Sequence, residues 1–312
     1  MQLFRGLSHC KADDRGVAVA VGNFDGVHLG HQALVAAARA AAASGGARVA
    51  VLTFEPQPRE FMDPADAPPR LMRLAEKCTA LAALGVERLI VLRFDARLQG
   101  QGPGEFVREV LCAGLGARHV VVGEGFRYGC RRAGSVQTLR ASGEGGGFEV
   151  TAVPSVLIDG ERVSSTGVRA ALAAGELAAA RRLLGRDYSI TGRVVAGRRL
   201  GRELGFPTAN FRMHPTAVAM RGIYAVRVQG IDGRPGAAAV ASLGTRPTVG
   251  GVEPLLEVHV FDYHGDLYGR RLAVEFVARL RDEEKFPSLE ALVAQMHADA
   301  TRAREILAAR AA

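Results

Sequence analysis

The chain has 312 residues, about twice a usual domain, so its length favours two domains over one. Hydrophobic residues make up 48% and charged residues 23%, a globular mixture with no run of roughly 18 apolar residues that could span a membrane as a helix. The net charge of +8 is spread evenly, 22 basic against 18 acidic residues through Gly185 and 18 against 14 after it, which argues against nucleic acid as the main partner.

Along the first part, short apolar runs alternate with helical patterns. Val17 to Val21, Arg48 to Phe54, Arg88 to Arg93, His119 to Val122 and Phe148 to Val153 read as strands. Helices are expected from about Gly30 to Ala43, Arg70 to Leu84 and Glu105 to Leu115, and Gly143 to Gly147 reads as a loose loop. Continuous apolar strands between helices predict a parallel sheet covered on both faces, with ligands at the carboxyl ends of the strands. After Gly185 the rhythm changes. Tyr188 to Val195, Ile223 to Val228, Ala237 to Leu243, Leu255 to Phe261 and Leu272 to Leu280 read as strands separated by Gly, Pro and Asp turns. Helical spacing returns only after Ser288, a ready N-cap, so the second part is expected to be a small antiparallel barrel or sandwich closed by one helix. The boundary falls between residues 185 and 186, giving domains 1–185 and 186–312.

The four cysteines, Cys10, Cys78, Cys112 and Cys130, form no C-x-x-C pair. That pattern fits free thiols in a reducing cytoplasm and offers no zinc site. The first residues, MQLFRGLSHCKADDRG, lack the apolar core of a secretory signal. A modest, even positive charge suits a protein that handles anionic small molecules, with no membrane partner; a homo-oligomer is left open.

Two segments carry phosphate chemistry. GNFDGVHLGH (Gly22 to His31) directly follows the first strand and opens the first helix. Backbone N–H groups at such a helix start attract phosphate, and Gly22 and Gly30 let it approach the main chain. His28 and His31, three apart, can both face that point and donate to phosphate oxygens, with Asn23, Phe24 and Asp25 in the same loop. The competing reading is a glycine-rich turn with two surface histidines, against which stands the strand–turn–helix context that a phosphate site requires. In VSSTGVRAAL (Val163 to Leu172), Ser164, Ser165 and Thr166 read either as a plain helix cap or as donors to an anion, with Arg169 as a charged clamp.

GNFDGVHLGH together with SSTGVR resembles the H-x-G-H and S-S-T-x-x-R signatures of the adenylyltransferase superfamily. TFEPQPRE (Thr53 to Glu60) and VGEGFRYG (Val122 to Gly129) narrow the resemblance to its flavin-specific branch. GRELGFPTANF (Gly201 to Phe211), RGIYAV, SLGTRPTV (Ser242 to Val249) and LEVHVFD (Leu256 to Asp262) resemble the riboflavin kinase module. In order and spacing the motifs cover nearly the whole chain and are similar to the bacterial bifunctional riboflavin kinase/FMN adenylyltransferase family.

The resemblance implies a Rossmann-like nucleotidyltransferase domain followed by a six-stranded β-barrel kinase. It implies riboflavin plus ATP to FMN in the second part, then FMN plus ATP to FAD with release of pyrophosphate in the first. His28 and His31 would stabilise the transferring phosphoryl group, and Ser164, Thr166 and Arg169 would hold the leaving phosphates. In the kinase part, Gly205 and Pro207 would shape a turn while Thr208 and Asn210 offer oxygens to Mg²⁺ and ATP. Without the resemblance, Thr208 and Asn210 are a turn closed by its own side chains. Glu257 would take the proton from the ribityl hydroxyl; by alternation alone it is an outward carboxylate on a strand, on the face of His259. Phe54, Pro56, Pro58, Phe126, Tyr224, Arg281 and Phe286 are candidates near the flavin. The chain departs from the family at Gln57, where histidine is usual, at Gly125, where Asp or Asn is usual, and at Ser242, where asparagine is common. Gln57 and Gly125 keep an alternative open, a riboflavin kinase whose first domain no longer transfers adenylyl groups.

Overall fold

The computed structural model describes residues 1–197, 201, 204–213, 219–248 and 251–310. Arg202, Glu203 and Val249 of the quoted motifs lie outside the described residues. The chain divides into two compact units, Met1–Pro68 with Met72–Ser164, and Pro69–Leu71 with Ser165–Ala312.

The first unit is a parallel sheet. Its elements are β1 (Gln2–Arg5), β2 (Val17–Val21), α1 (Leu29–Gly45), β3 (Arg48–Glu55), α2 (Pro58–Met62), α3 (Leu74–Ala83), β4 (Arg88–Arg93), α4 (Ala96–Gly100) and α5 (Pro103–Glu105). The last continues in π-helical turns over Phe106–Gly114. Then come β5 (His119–Gly123), a hairpin of β6 (Arg127–Tyr128) and β7 (Gly134–Ser135), α6 (Val136–Gly146), β8 (Glu149–Val153) and a hairpin of β9 (Leu157–Ile158) and β10 (Glu161–Arg162). Six strands pair in the order β1-β4-β3-β2-β5-β8, every pair parallel.

Alternation along β2 explains why this strand sits at the centre. Val17, Val19 and Val21 enter one core with Leu52, Ile90, Val120 and the helical residues Val107, Leu111 and Leu139. Ala18 and Ala20 enter the other with Leu34, Val35 and Ala38 of α1 and Leu81 of α3. A strand buried on both faces needs an unbroken apolar run, and VAVAV supplies it. The strand order reverses between β2 and β5, which opens a crevice at the carboxyl ends of those strands.

The second unit begins with α7 (Ser165–Ala173) and α8 (Leu177–Leu184) and continues as a closed barrel. Its strands are β11 (Tyr188–Val195), β12 (Ala209–Arg212), β13 (Gly222–Gln229), β14 (Ala237–Thr248), β15 (Gly251–Val260) and β16 (Arg271–Arg281). They close antiparallel in the order β11-β12-β15-β14-β13-β16. Phe211, Tyr224, Val226, Leu243, Leu256, Val258, Val274 and Phe276 fill the core. The closing helix α9 (Leu289–Ala309), capped by the Ser288 side chain on the Ala291 N–H, packs Ala303 and Leu307 on Ala225, Phe261 and Val277.

Several expectations need correcting. Gly143 to Gly147 is no loose loop: α6 runs through Gly146, and Gly147 caps it in the left-handed conformation at φ 72°. Gly143 is required there, because a Cβ would lie 2.5 Å from the Phe148 carbonyl oxygen. The helix expected from Arg70 starts only at Leu74. Part of the GFPTANF segment is strand β12, which makes the sixth barrel strand, and β1 adds an edge strand to the sheet. By packing the compact units divide at Ser164/Ser165, while the expected boundary after Gly185 divides the motif sets. The cause is that Val168, Leu172, Leu177 and Leu184 share one core with the barrel strands. Residues 69–71 follow α7, since Arg169 Nε donates to the Pro69 carbonyl at 2.6 Å and Leu71 joins the same core.

Candidate active sites

Four of the quoted segments leave the carboxyl ends of sheet strands or the hairpin beyond them. The loop after β2 turns tightly, with Phe24, Gly26 and Val27 at φ 50°, 84° and 43°. A β-branched residue such as Val27 pays strain in that region, so the surroundings must enforce the loop. Those surroundings are visible. The Asn23 carbonyl accepts from Lys77 Nζ at 2.7 Å and from Thr53 Oγ1 at 3.0 Å, and the buried Asp25 carboxylate accepts from the Met72 N–H at 3.1 Å.

His28 is the N-cap of α1, and its Nδ1 accepts from the His31 backbone N–H at 3.4 Å. With Nδ1 accepting, the proton of a neutral His28 ring sits on Nε2. The two imidazoles stack at 3.7 Å, and His31 also lies against Phe24 at 5.0 Å. Burial first, then the neighbouring His28 and the Lys77 charge, hold the His31 pKa well below its ordinary value, so this ring is neutral near pH 7. Its Nδ1 is buried and has no hydrogen-bond partner among the described residues. Gly30 keeps room for this pair: a Cβ there would lie 3.2 Å from the His28 ring and 3.6 Å from the Val163 carbonyl. The chain therefore passes the histidine turn immediately before Ser164.

After β3, Phe54 meets Phe94 edge to face at 6.0 Å, and Phe94 meets the exposed Phe61 at 5.8 Å. Pro56 and Pro58 flank Gln57, which is buried at the start of α2. Its Nε2 has no partner among the described residues. After β5, Phe126 stacks on Tyr128 at 5.6 Å, while Gly125 is exposed with open space where a side chain would go. In the second unit, Thr166 is exposed and Arg169 half-buried on the first turns of α7.

The barrel site is built by strand register. Asn210 on β12 lies opposite Glu257 on β15, Glu257 opposite Ser242 on β14, Ser242 opposite Ile223 on β13, and Ile223 opposite Arg281 on β16. Opposite residues share a face, so these five side chains form one row across five strands. Leu256 and Val258, alternating with Glu257, fill the core instead. The row lines a cavity of about 400 Å³ with Gly201, Leu204, Phe206 and Thr208, closed on the helix side by Leu292, Met296 and Asp299. Its floor is largely apolar, and its polar groups converge near Glu257.

Arg281 is held in that row by a forked ion pair. Nε and Nη2 donate to Asp299 Oδ2 at 3.0 and 2.8 Å, and Gln295 Nε2 supports Oδ1 of the same carboxylate at 3.0 Å. The Arg281 guanidinium also covers the Phe286 ring at 5.4 Å. The turn before β12 bends at Gly205, φ 80°, and His259 Nδ1–H donates to the Pro207 carbonyl at 2.9 Å. That bond fixes Thr208 and Asn210 beside Glu257. Thr208 also lines a second cavity of about 350 Å³, bounded by Val194, Pro207, Val258 and the Tyr263–Tyr268 loop.

The structure thus brings together Thr208, Asn210, Glu257 and Arg281, with Phe286 against the last, and separately His28 and His31. Tyr224 is a correction. It is fully buried in the barrel core, edge-on to Phe276, with its hydroxyl donating to the Arg221 carbonyl at 2.6 Å. That leaves it no surface to offer a flavin. Sequence reasoning missed Asp299, the Tyr263–Tyr268 loop and Lys77. Only Lys77 had a local signal, as a lysine within the apolar 74/77/78/81 stripe of α3.

Comparison with known proteins follows this division. Residues 10–167 match the FAD synthetase family model and residues 184–307 the riboflavin kinase family model. The bifunctional riboflavin kinase/FMN adenylyltransferase of Pseudomonas fluorescens is 47% identical over 99% of this chain and 98% of its own length. Those of Haemophilus influenzae and Escherichia coli K12 are each 41% identical, over 97% and 98% of this chain and 98% and 97% of theirs. A solved structure described as a macrolide-efflux protein from Streptococcus pneumoniae superposes with TM-score 0.84 at 31% identity, covering 97% of this chain and 99% of that one. Among the described residues here, no helix is long and apolar enough to cross a membrane. With two site-bearing units and relatives alike along their whole length, the chain belongs to the bifunctional riboflavin kinase/FMN adenylyltransferase family.

Proposed function

We propose that the chain makes FAD in two steps, phosphorylating riboflavin with ATP in the barrel and then transferring an adenylyl group from ATP to FMN in the parallel-sheet unit. The observation that carries this reading is that each half of the chain carries a built site. One is the cross-strand row at Glu257; the other is the strained histidine turn at a sheet switch point. The kinase-only alternative rests on Gln57 and Gly125, and neither of these removes a histidine of that turn. We keep 1–185 as the adenylyltransferase portion and 186–312 as the kinase portion.

In the kinase, riboflavin occupies the cavity of about 400 Å³, its ring between Arg281, Phe286 and the apolar wall. Its terminal ribityl hydroxyl gives its proton to Glu257 as the oxygen attacks the γ-phosphorus. ATP enters through the second cavity, because Thr208 borders both spaces and is where donor and acceptor can meet. The neutral oxygens of Thr208 and Asn210 fit a Mg²⁺ that arrives on ATP phosphates. Bound there, Mg²⁺ would neutralise charge on the transferred phosphoryl group. Catalysis otherwise rests on positioning, as in other phosphoryl transfers.

In the sheet unit the FMN phosphate attacks the ATP α-phosphorus and pyrophosphate leaves. His28 Nε2–H and the His31 ring donate to the oxygens of the transferred group, and the loop Gly22, Asn23, Phe24, Asp25 and Gly30 shapes the anion turn. Ser164, Thr166 and Arg169 hold the leaving β- and γ-phosphates. Phe54, Pro56, Pro58 and Phe126 supply apolar surface for the flavin. The four cysteines are free thiols, and we place the enzyme in the cytoplasm.

Incubation of the purified protein with riboflavin, ATP and Mg²⁺, followed by chromatography of the flavins, tests the proposal. FAD is the expected product. FMN alone would leave the kinase-only alternative, and unchanged riboflavin would leave a binding protein.

A further inference from the structure

We propose that Lys77 is a positioning residue for adenylyl transfer: its buried ammonium clamps the Asn23 carbonyl and so holds the phosphate-facing turn in its strained shape. The inference rests on reading the first unit as the adenylyltransferase.

Lys77 is 1% exposed and occupies a core position of α3, between Leu74 and Leu81. Burying an ammonium in an apolar stripe is costly unless its hydrogen bonds are replaced, and an apolar residue would cover β3 without that cost. The recovered interaction is specific. Nζ donates to the Asn23 carbonyl at 2.7 Å and lies 3.5 Å from Thr53 Oγ1, which donates to the same carbonyl at 3.0 Å. One carbonyl is therefore tied to a helix and to a strand at once.

That carbonyl immediately precedes Phe24, the first left-handed residue of the turn, with Val27 the other non-glycine one. Strained backbone of this kind persists only where neighbours over-determine it. Lys77 and Thr53 supply that constraint at the Asn23 carbonyl. The ammonium also acts electrically at this end, since its charge opposes protonation of His31. Lysine suits the position because its compact ammonium fits one buried carbonyl, whereas a planar guanidinium would have to spread its five donors. The chain otherwise uses arginine almost throughout, with only Lys11 and Lys285 as further lysines.

The test uses the full-length protein with Lys77→Met, Lys77→Arg and Thr53→Val. Lys77→Met should lower kcat for FMN to FAD by about tenfold to a hundredfold, the scale of a small misplacement, with KM for FMN changed less than about twofold. Hydrogen exchange through residues 22–31 should rise, Lys77→Arg should restore part of kcat, and riboflavin phosphorylation should be unchanged. Thr53→Val should move kcat the same way by a smaller factor. A folded Lys77→Met protein with normal kcat and unchanged exchange overturns the proposal, as does a rise in KM alone. Should Lys77→Met not fold, Thr53→Val decides, and normal FAD formation in it overturns the clamp. A wild-type protein that makes no FAD refutes the adenylyltransferase reading instead, and exchange through 22–31 then judges the clamp alone.

Discussion

The two sites are held by different physics. In the sheet unit the site is carried by backbone: a turn with two strained non-glycine residues, pinned by a buried lysine, a buried aspartate and a histidine cap. In the barrel it is carried by side chains whose places are set by strand pairing, Asn210, Glu257, Ser242, Ile223 and Arg281 standing in one row. A loop site can lose its geometry while keeping every reacting side chain. A strand site is disabled by changing the side chain itself, because its register is fixed by pairing along the neighbouring strands and a packed core.

The sharpest way to probe the strand site is Glu257→Gln. The amide keeps shape and much of the hydrogen bonding but accepts no proton. Loss of a general base typically costs about 10²- to 10⁴-fold, so kcat for riboflavin phosphorylation should fall far more than riboflavin affinity changes. FMN supplied directly should still become FAD. A near-normal kinase rate would demote Glu257 to a binding role and leave the row without its reacting member.

For the loop site the matching change is His31→Ala. A lost donor to a phosphoryl transition state typically costs about 3 kcal/mol, on the order of a hundredfold in rate. FAD formation should fall by that factor while FMN formation stays level. If both rates fell equally in a well-folded protein, the two sites would not be the independent constructions contrasted above.

Much of this contrast was legible in the residues. VAVAV announced a doubly buried central strand, and the alternation LEVHV placed Glu257 opposite the core-facing leucine and valines. What escaped was whatever depends on distant partners. Tyr224 reads as a strand residue of either face until a bulge in the β13–β16 pairing and the Phe276 contact settle it inside. Asp299 carries no motif and matters only because α9 brings it to Arg281. The glycines at the end of α6 break the helical pattern, yet Gly143 is there for the close Phe148 backbone. Lys77 was visible as an anomaly in a stripe, but its meaning required the Asn23 carbonyl.

A smaller effect concerns where the barrel unit begins. Leu172, Leu177 and Leu184 share its core, so a fragment of residues 186–312 leaves apolar barrel surface uncovered that a fragment of residues 165–312 covers. Each buried leucine is worth about 1.5–3 kcal/mol, so the longer fragment should be the more stable by several kcal/mol in urea unfolding. Both should lack FAD formation, and the longer one should phosphorylate riboflavin. Equal stability of the two would show that α7 and α8 contribute little to the barrel.

The smallest expected effect is on pH, and it again separates the two constructions. His31 titrates well below 6.5 in the folded protein, chiefly because it is desolvated, so the unfolded chain binds a proton there that the folded chain refuses. Where the unfolded state holds more protons, stability rises with pH. The neutral ring is therefore fully tolerated above about pH 6.5, and its stabilising contribution is lost as pH falls from that value toward the depressed folded pKa. His31→Gln removes the titration and keeps a polar side chain of similar reach. Melting curves between pH 8 and pH 5 should show the wild-type transition of the sheet unit falling more steeply than that of the variant, the two converging above pH 7 in slope. In the barrel unit no such difference should appear. Parallel curves for both units would mean that His31 takes up its proton in the folded enzyme, and the neutral His31 ring stacked on His28 would have to be redrawn with a charge on it.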